Sequence, residues 1–170
     1  MRDKWHFKNK KGYLKIHVAA NVKTKKILST KVTDERVHDS KALPELVNGV
    51  IKLDKKITIG KLFAEDDAYD NNEIFRFSED NGILHCIKVR KNSRIRWKKG
   101  NILRNLTVLA QRNDLREWKD SVSYGQRWIV ETVFSSIKRT FVEYVYPVKL
   151  KNMIQEMILK ASLYNKMISI

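Results

Sequence analysis

Alternating apolar and polar positions near the N-terminus predict a β-hairpin. The two kinds of side chain alternate over residues 13–18, which is the period of a half-buried strand. A mostly polar, turn-like stretch over 21–26 separates this strand from a second predicted strand over 27–33. The chain is therefore expected to begin its fold with two antiparallel strands.

The apolar spacing next predicts two helices. The first begins near Asp39, because Pro44 is tolerated only close to the start of a helix. The second begins at Asp70, which fits a capping box with Glu73, and it ends at an Asn-Gly pair over 81–82. The expected apolar faces are Leu43, Leu46, Val47 and Val50 in the first helix and Ile74, Phe75 and Phe77 in the second.

Short apolar runs on either side of the second helix predict buried strands. The first covers residues 62–64 and stops at three acids, Glu65, Asp66 and Asp67. The next covers residues 83–89. Strands that alternate with helices indicate an α/β fold, and here the end of a buried strand presents carboxylates.

Two longer helices are predicted over residues 124–141 and from 149 to near the C-terminus. Apolar residues recur at three-to-four spacing in the last one, at Leu150, Met153, Ile154, Met157, Ile158, Ala161 and Tyr164. In the helix before it, a polar stripe about 60° wide runs apart from the apolar arc. The stripe comprises Tyr124, Arg127, Glu131 and Lys138. Its ordinary interpretation is a solvated helix side with one Arg127–Glu131 pair.

The net charge and the chain length limit the classes of function that this protein can have. The 170 residues carry 35 Lys plus Arg against 19 Asp plus Glu, a formal charge of +16. Such an excess points to a polyanionic partner, either nucleic acid or an acidic membrane surface. No apolar run approaches the ~18–20 residues that span a bilayer, and no secretory signal pattern is present. We expect a single domain over 1–170, located in the cytoplasm, that faces nucleic acid.

A basic stretch offers a candidate contact for nucleic acid. Residues 88–104 contain eight basic side chains and no acid, with Trp97 among them. The basic residues are Lys88, Arg90, Lys91, Arg94, Arg96, Lys98, Lys99 and Arg104. They can neutralise phosphates without reading sequence, and Trp97 can stack on an unpaired base. A mobile solvated loop is an equally good interpretation, and mobility is expected in the absence of a partner in either case.

The histidines and the lone cysteine indicate no metal site by themselves. His6, His17, His38 and His85 have no ligand-like spacing to one another or to Cys86, which we expect to be a small buried residue. His17 and His85 fall in predicted strands and are expected to be satisfied there. His38 is the one histidine for which a position near a metal site is an alternative, but the favoured interpretation is that it lies away from any metal.

The spacing Tyr-x2-Arg-x3-Glu-x6-Lys, formed by Tyr124, Arg127, Glu131 and Lys138, resembles the signature of DDE transposases of prokaryotic insertion sequences. Residues 11–18 look like the second strand of that family, and residues 33–40 look like its strand-to-helix junction. Residues 66–70 are similar to its second-aspartate motif, with Asp67 where glycine is more usual. The resemblance covers nearly the whole chain.

This resemblance implies a ribonuclease H-like mixed sheet flanked by helices. It implies that Asp66 and Glu131 are catalytic acids that bind Mg²⁺ or Mn²⁺, in a reaction that cuts and joins DNA strands. It also implies that Tyr124, Arg127 and Lys138 contact DNA near the scissile bond. We interpret Asp67 and Asp70, in contrast, as a turn residue and a helix cap.

The first acid of the family has no counterpart before the hairpin. The family carries it in an Asp-(Ser/Thr)-(Ser/Thr)-Gly-like segment, whereas Asp3 is the only acid before Asp34 and its neighbours do not match. The fold is therefore expected to lack its first strand and the activity to be impaired. The alternative function is a non-catalytic DNA-binding remnant that inhibits full-length transposase. Expected partners are double-stranded DNA at element ends and target, and a second copy or a mixed multimer.

Overall fold

The computed structural model describes residues 2–7, 10–53, 59–64, 67–98 and 100–169, and only the backbone of 2–7, 10–12 and 67. Its strands are β1 (Arg2–Phe7), β2 (Lys10–Ala20), β3 (Ile27–Asp34), β4 (Lys61–Ala64) and β5 (Leu84–Ile87). Its helices are α1 (Asp39–Leu53), α2 (Asn72–Asp80), α3 (Ile102–Asn113), α4 (Leu115–Val122), α5 (Arg127–Phe141) and α6 (Leu150–Met167). The predicted α/β class is confirmed.

The chain forms two compact units. The first joins Met1–Lys55 to Trp128–Ile170, and the second is Lys56–Arg127. The first unit contains β1, β2, β3, α1 and α6 together with most of α5, and the second contains the intervening elements. The single domain expected over 1–170 stays a prediction.

The predicted hairpin is confirmed as β2 and β3, which pair antiparallel from Leu14 with Asp34 to Ala20 with Ile27. Asn21 closes the turn between them, because its side-chain Oδ1 accepts hydrogen bonds from the backbone N–H groups of Lys23 and Thr24, both at 2.9 Å. An asparagine at a turn commonly binds the backbone in this way. The polar stretch predicted as a turn thus has a defined local cause.

The structure adds a strand that the sequence pattern did not predict. β1 pairs antiparallel with β2 and gives the order β1-β2-β3, with an irregularity in register between Arg2 and His6. Residues 2–7 read Arg-Asp-Lys-Trp-His-Phe and lack the clean alternation that predicts strands. Pairing with β2 stabilises β1 as a strand, and the pattern of its own residues does not reveal this pairing. A strand therefore does precede the hairpin, and it contains no Asp-(Ser/Thr) segment.

Helix α1 covers one face of this sheet. Its buried residues include all four that were predicted, and they are Ala42, Leu43, Leu46, Val47 and Val50. Gly49 lets α1 approach β3 closely, since a Cβ atom there would lie 2.3 Å from Ser29 Oγ. Glu45 and Lys31 pair at 2.5 Å between the same two elements.

Helices α5 and α6 pack on apolar residues of β2 and β3. One cluster joins Ile27 of β3 to Val133 and Ile137 of α5 and to Ala161 and Tyr164 of α6. A second cluster joins Leu14 of β2 to Met153 and Met157 of α6. The predicted stripe of α6 is buried at Met153, Met157, Ala161 and Tyr164, whereas Leu150 and Ile158 are exposed. The sheet of the first unit is thus flanked by helices, as predicted.

The second unit is built on a strand–helix–strand segment. β4 and β5 pair parallel, from Lys61 with Leu84 to Ala64 with Ile87, and α2 connects them. The helix ends as predicted, with Gly82 in the left-handed region at φ 63°. Helices α3 and α4 follow, and the sequence pattern did not delimit them. The predicted cap of α2 is wrong: Asn71 accepts the hydrogen bond from the backbone N–H of Ile74, at 3.0 Å.

Each of the two strand histidines makes a side-chain hydrogen bond inside the fold, but His85 Nδ1 is buried without a hydrogen-bond partner among the described residues. His17 Nε2 lies 2.8 Å from Thr33 Oγ1. His85 Nε2 lies 3.1 Å from Thr107 Oγ1. Cys86 is fully buried, which confirms its predicted role. Burial is the main cause that lowers the pKa of both imidazoles below 6.5.

These histidines make stability depend on pH. Their folded pKa values lie below the unfolded value, so the unfolded chain binds more protons in that range. The free energy of unfolding, measured with urea, should stay constant above about pH 7 and decrease as pH falls through about 6.5 toward 5. The double variant His17→Gln, His85→Gln should show a flatter profile. An equally steep decline in that variant would assign the effect to other groups.

Candidate functional site

Tyr124 lies in the turn before α5, not on the helix. The sequence predicted helix from residue 124, but α5 begins at Arg127. Ser123 and Gly125 have positive φ angles of 57° and 107°, which no α-helix accommodates. The Tyr124 ring instead packs on Trp118 of α4, with ring centroids 5.3 Å apart, and lies 5.9 Å from Lys119 Nζ. Only three members of the predicted polar stripe therefore share the helix.

Those three residues lie apart from the packed side of α5, as predicted. Arg127, Glu131 and Lys138 are all exposed. The buried residues of the helix are Ile129, Val133 and Ile137. The helix thus holds a guanidinium, a carboxylate and an ammonium on a rigid element fixed by the apolar clusters of β3 and α6.

Lys138 has an acidic partner just beyond the helix. Its ammonium forms an ion pair with Glu143, and both side chains are more than half exposed. A hydrogen bond from Lys138, together with its charge, lowers the pKa of the Glu143 carboxyl. Since exposed pairs contribute little to stability, this contact leaves Lys138 available to exchange Glu143 for another anion.

The donor chemistry of the predicted metal ligands fits Mg²⁺ or Mn²⁺. Carboxylate oxygens are the protein ligands that these ions prefer. Glu131 offers such oxygens on an ordered helix, and Asp66 follows the end of β4 by two residues. Asp66 itself lies outside the described residues. Within the described ranges, no three His, Cys, Asp or Glu side chains gather into a potential metal site.

The acid and histidine at the start of α1 have different surroundings. Asp39 Oδ1 lies 2.7 Å from Lys15 Nζ and 3.5 Å from His17 Nδ1. Lys15 also donates to the backbone carbonyl of Val37, at 3.0 Å. Asp39 thus ties α1 to β2, whereas His38 beside it is exposed.

The described residues of the basic stretch that were predicted to contact DNA are exposed to solvent. Arg94, Arg96 and Lys98 are exposed, and the Trp97 side chain is 58% exposed. Lys99 lies outside the described residues. Exposed cations around a large exposed aromatic ring suit both phosphate contact and base stacking.

Asp70 holds this basic stretch in place, a role that the sequence pattern did not indicate. Its side chain is 1% exposed and forms an ion pair with Arg104 of α3, Nε to Oδ1 at 2.7 Å. Its other oxygen accepts hydrogen bonds from the Ser93 hydroxyl at 2.5 Å and from the Arg90 backbone N–H at 3.0 Å. Burial raises the pKa of the carboxyl, but the Arg104, Ser93 and Arg90 contacts together lower it below 3.8.

Further contacts from α3 fix the same segment. Arg112 donates to the Ser93 carbonyl at 2.7 Å, and the Asn105 side chain accepts from the Arg96 backbone N–H at 3.1 Å. The predicted loop over 88–104 is thus tied to α3 at Ser93 and Arg96, and its mobility stays a prediction. Arg104 is also withdrawn from the predicted phosphate contacts, because its side chain is 13% exposed and paired with Asp70.

The comparisons with known proteins agree with the motif. Residues 2–166 match the family described as "Transposase DDE domain". No curated protein and no solved structure matches the chain. In the part of the chain that the structure describes, no helix is long and apolar enough to cross a membrane. A family match over almost all of the 170 residues is decisive, and the chain belongs to the transposase DDE domain family.

Proposed function

We propose that this chain is the catalytic domain of a metal-dependent DDE transposase that cuts and joins DNA at insertion-sequence ends. The observation that carries the proposal is the family match over residues 2–166. The exposed Arg127, Glu131 and Lys138 on the packed helix α5 support it, because the resemblance to the family signature implies that these residues lie beside DNA.

The architecture supports a ribonuclease H-like fold. An antiparallel sheet, β1-β2-β3, is followed by α1 and then by the parallel pair β4 and β5. In the described residues these strands form two separate sheets, one antiparallel and one parallel, and the single mixed sheet that would join them is part of the proposal. Helices flank the antiparallel part.

We propose Asp66 and Glu131 as the metal ligands and catalytic acids. Bound Mg²⁺ or Mn²⁺ would supply Lewis-acid activation of phosphodiester cleavage. Glu131 would contribute oxygen ligands from α5. This helix is fixed in place because its own residues Val133 and Ile137 are buried in the apolar cluster of the first unit. Tyr124, Arg127 and Lys138 would bind DNA phosphates beside these acids and orient the strand.

The basic segment would extend the DNA surface through Arg94, Arg96, Trp97, Lys98 and Lys99. The anchoring by Asp70 supports this role, because fixed cations lose less conformational entropy when they bind phosphate. The substrate would place the protein on the nucleoid in the cytoplasm. A homodimer, or a mixed multimer with full-length transposase, would bring two element ends together.

Salt dependence tests the DNA surface. The variant with Arg94, Arg96, Lys98 and Lys99 replaced by Ala should bind duplex DNA more weakly. The slope of log affinity against log salt should fall by about 0.9 for each phosphate that the variant no longer neutralises. Fluorescence anisotropy over a salt series measures both quantities.

A charge-matched control separates this surface from net charge. Lys23, Lys26, Lys41 and Lys52 are exposed residues of the first unit, and replacing all four with Ala removes the same formal charge. This control should retain most of the slope. Equal slopes in the two variants would show that the basic segment is not the DNA surface.

A non-catalytic DNA-binding protein that inhibits transposase is the second candidate. One observation favours it: of the three acids that the family resemblance implies, the 170 residues show counterparts for two, Asp66 and Glu131. DNA binding without strand cleavage in Mg²⁺ or Mn²⁺ would support this candidate, and efficient cleavage by the 170-residue chain would exclude it.

A further inference from the structure

Two exposed tyrosines follow helix α5. The Tyr144 and Tyr146 side chains are 51% and 70% exposed, and their ring centroids lie 5.2 Å apart in an edge-to-face arrangement. Exposed aromatic pairs are costly to leave in water unless something covers them.

The backbone beneath the two rings is held firmly by α6. The Tyr146 backbone N–H donates to Glu156 Oε2 at 3.0 Å, and Lys160 Nζ donates to the Tyr144 carbonyl at 2.8 Å. Glu156 and Lys160 also pair with each other at 2.7 Å. Val145, between the tyrosines, packs on the apolar cluster of Leu14, Met153 and Met157. The fold therefore turns Val145 inward and presents the flanking rings to solvent.

Cationic side chains line the same depression as Tyr144. Tyr144 lines an open depression of about 600 Å³, which Lys138, Arg139, Glu143, Ser135 and Val142 also line. Arg139 is exposed, and Lys138 can exchange its exposed ion pair with Glu143 for a phosphate. An aromatic surface beside cations matches a nucleic-acid strand, whose bases stack while its phosphates pair with the cations. The formal charge of +16 favours this occupant over an apolar protein surface.

We propose that Tyr144 and Tyr146 form a stacking site for an unpaired DNA base whose phosphate lies on Lys138 and Arg139. The inference rests on the proposed function, in which Lys138 already contacts DNA. It adds to that function a preference for DNA ends with single-stranded character. The stacking is expected to be tolerant of sequence, since every base has an aromatic face.

Binding to three DNAs tests the site. The probes are a blunt duplex, the same duplex with a short 3′ overhang, and that overhang with abasic sites. The native chain should prefer the base-bearing overhang. The variant Tyr144→Ala, Tyr146→Ala should bind that probe about 5- to 150-fold more weakly and the other two unchanged. Tyr144→Phe, Tyr146→Phe should behave like the native chain.

Tyr13→Ala is the matched control, because Tyr13 is an exposed tyrosine on β2 of the same unit. It should leave all three affinities unchanged. Equal weakening by the double Ala variant on base-bearing and abasic overhangs would overturn the stacking proposal. So would a native chain without preference for bases, or a change in oligomeric state caused by the Ala variant. A native chain that binds none of the probes would instead contradict the proposed function.

Discussion

Replacing Glu131 with Gln should abolish metal-dependent strand cleavage. The 170-residue chain should itself cleave poorly, because it shows counterparts for two of the three acids of the family, so the assay uses a form with an added N-terminal segment that carries an aspartate, and this form should cleave DNA. Glu131 would supply an oxygen ligand and a negative charge that offsets the bound divalent ions. Gln keeps the size of the side chain but removes the charge. The expected loss is on the order of 10³-fold in cleavage rate, measured on a labelled element end.

Glu117→Gln is the control for this substitution. Glu117 lies in the first turn of α4, is exposed, and has no proposed role. Its replacement should leave cleavage unchanged. DNA binding by Glu131→Gln should persist, since the change removes no cation that binds phosphate. Normal cleavage by Glu131→Gln would make the catalytic assignment wrong, and an inert parent that binds DNA normally would favour the inhibitor candidate.

Replacing Asp70 with Ala should produce the largest loss of stability. The substitution leaves the Arg104 guanidinium, 13% exposed, without its carboxylate, and it removes the acceptor for Ser93 and the Arg90 N–H. Breaking one side of a buried ion pair typically costs about 3–5 kcal/mol. Urea unfolding should show that decrease in the free energy of unfolding. DNA affinity should also fall, because the substitution releases the basic segment.

Asp80→Ala provides the matched control. Asp80 is an exposed acid at the end of α2, and its removal should change stability by no more than about 0.5 kcal/mol. An Asp70→Ala variant with the urea midpoint of the native chain would contradict the anchoring role.

The contribution of Asp70 to the free energy of unfolding should disappear in acid. Its folded pKa lies below the ordinary value of 3.8, so the stabilisation is fully present above that value and is lost as pH falls through the folded pKa. The difference in unfolding free energy between native chain and Asp70→Ala should therefore be constant near neutrality and shrink below about pH 4.

The pattern of apolar and polar residues was sufficient to predict an element where only one face of that element is buried. The β2–β3 hairpin and the apolar faces of α1 and α6 were predictable because one set of side chains faces a core and the other faces water. The signature that runs from Tyr124 in the turn to Lys138 on α5 was recognisable for a different reason, since fixed spacing of four chemically distinct residues is uncommon by chance. These features indicated the fold class and the family.

Long-range contacts explain the errors. Asp70 looks like a helix cap in sequence, but Arg104 and Ser93 draw it into the interior while Asn71 caps α2. Pairing with β2 defines β1, whose own sequence does not alternate. The left-handed backbone at Gly125 excludes Tyr124 from α5, and a helical wheel assumes a continuity that the chain does not have.

The central claim is that Asp66 and Glu131 share a metal ion at the site of strand cleavage. A crystal structure grown with Mn²⁺ and a DNA end, with the metal located by anomalous scattering, tests it most directly. We expect an anomalous peak within coordination distance of oxygens of both carboxylates, beside the scissile phosphate. Carboxylates on opposite faces of the protein, with no metal between them, would contradict it.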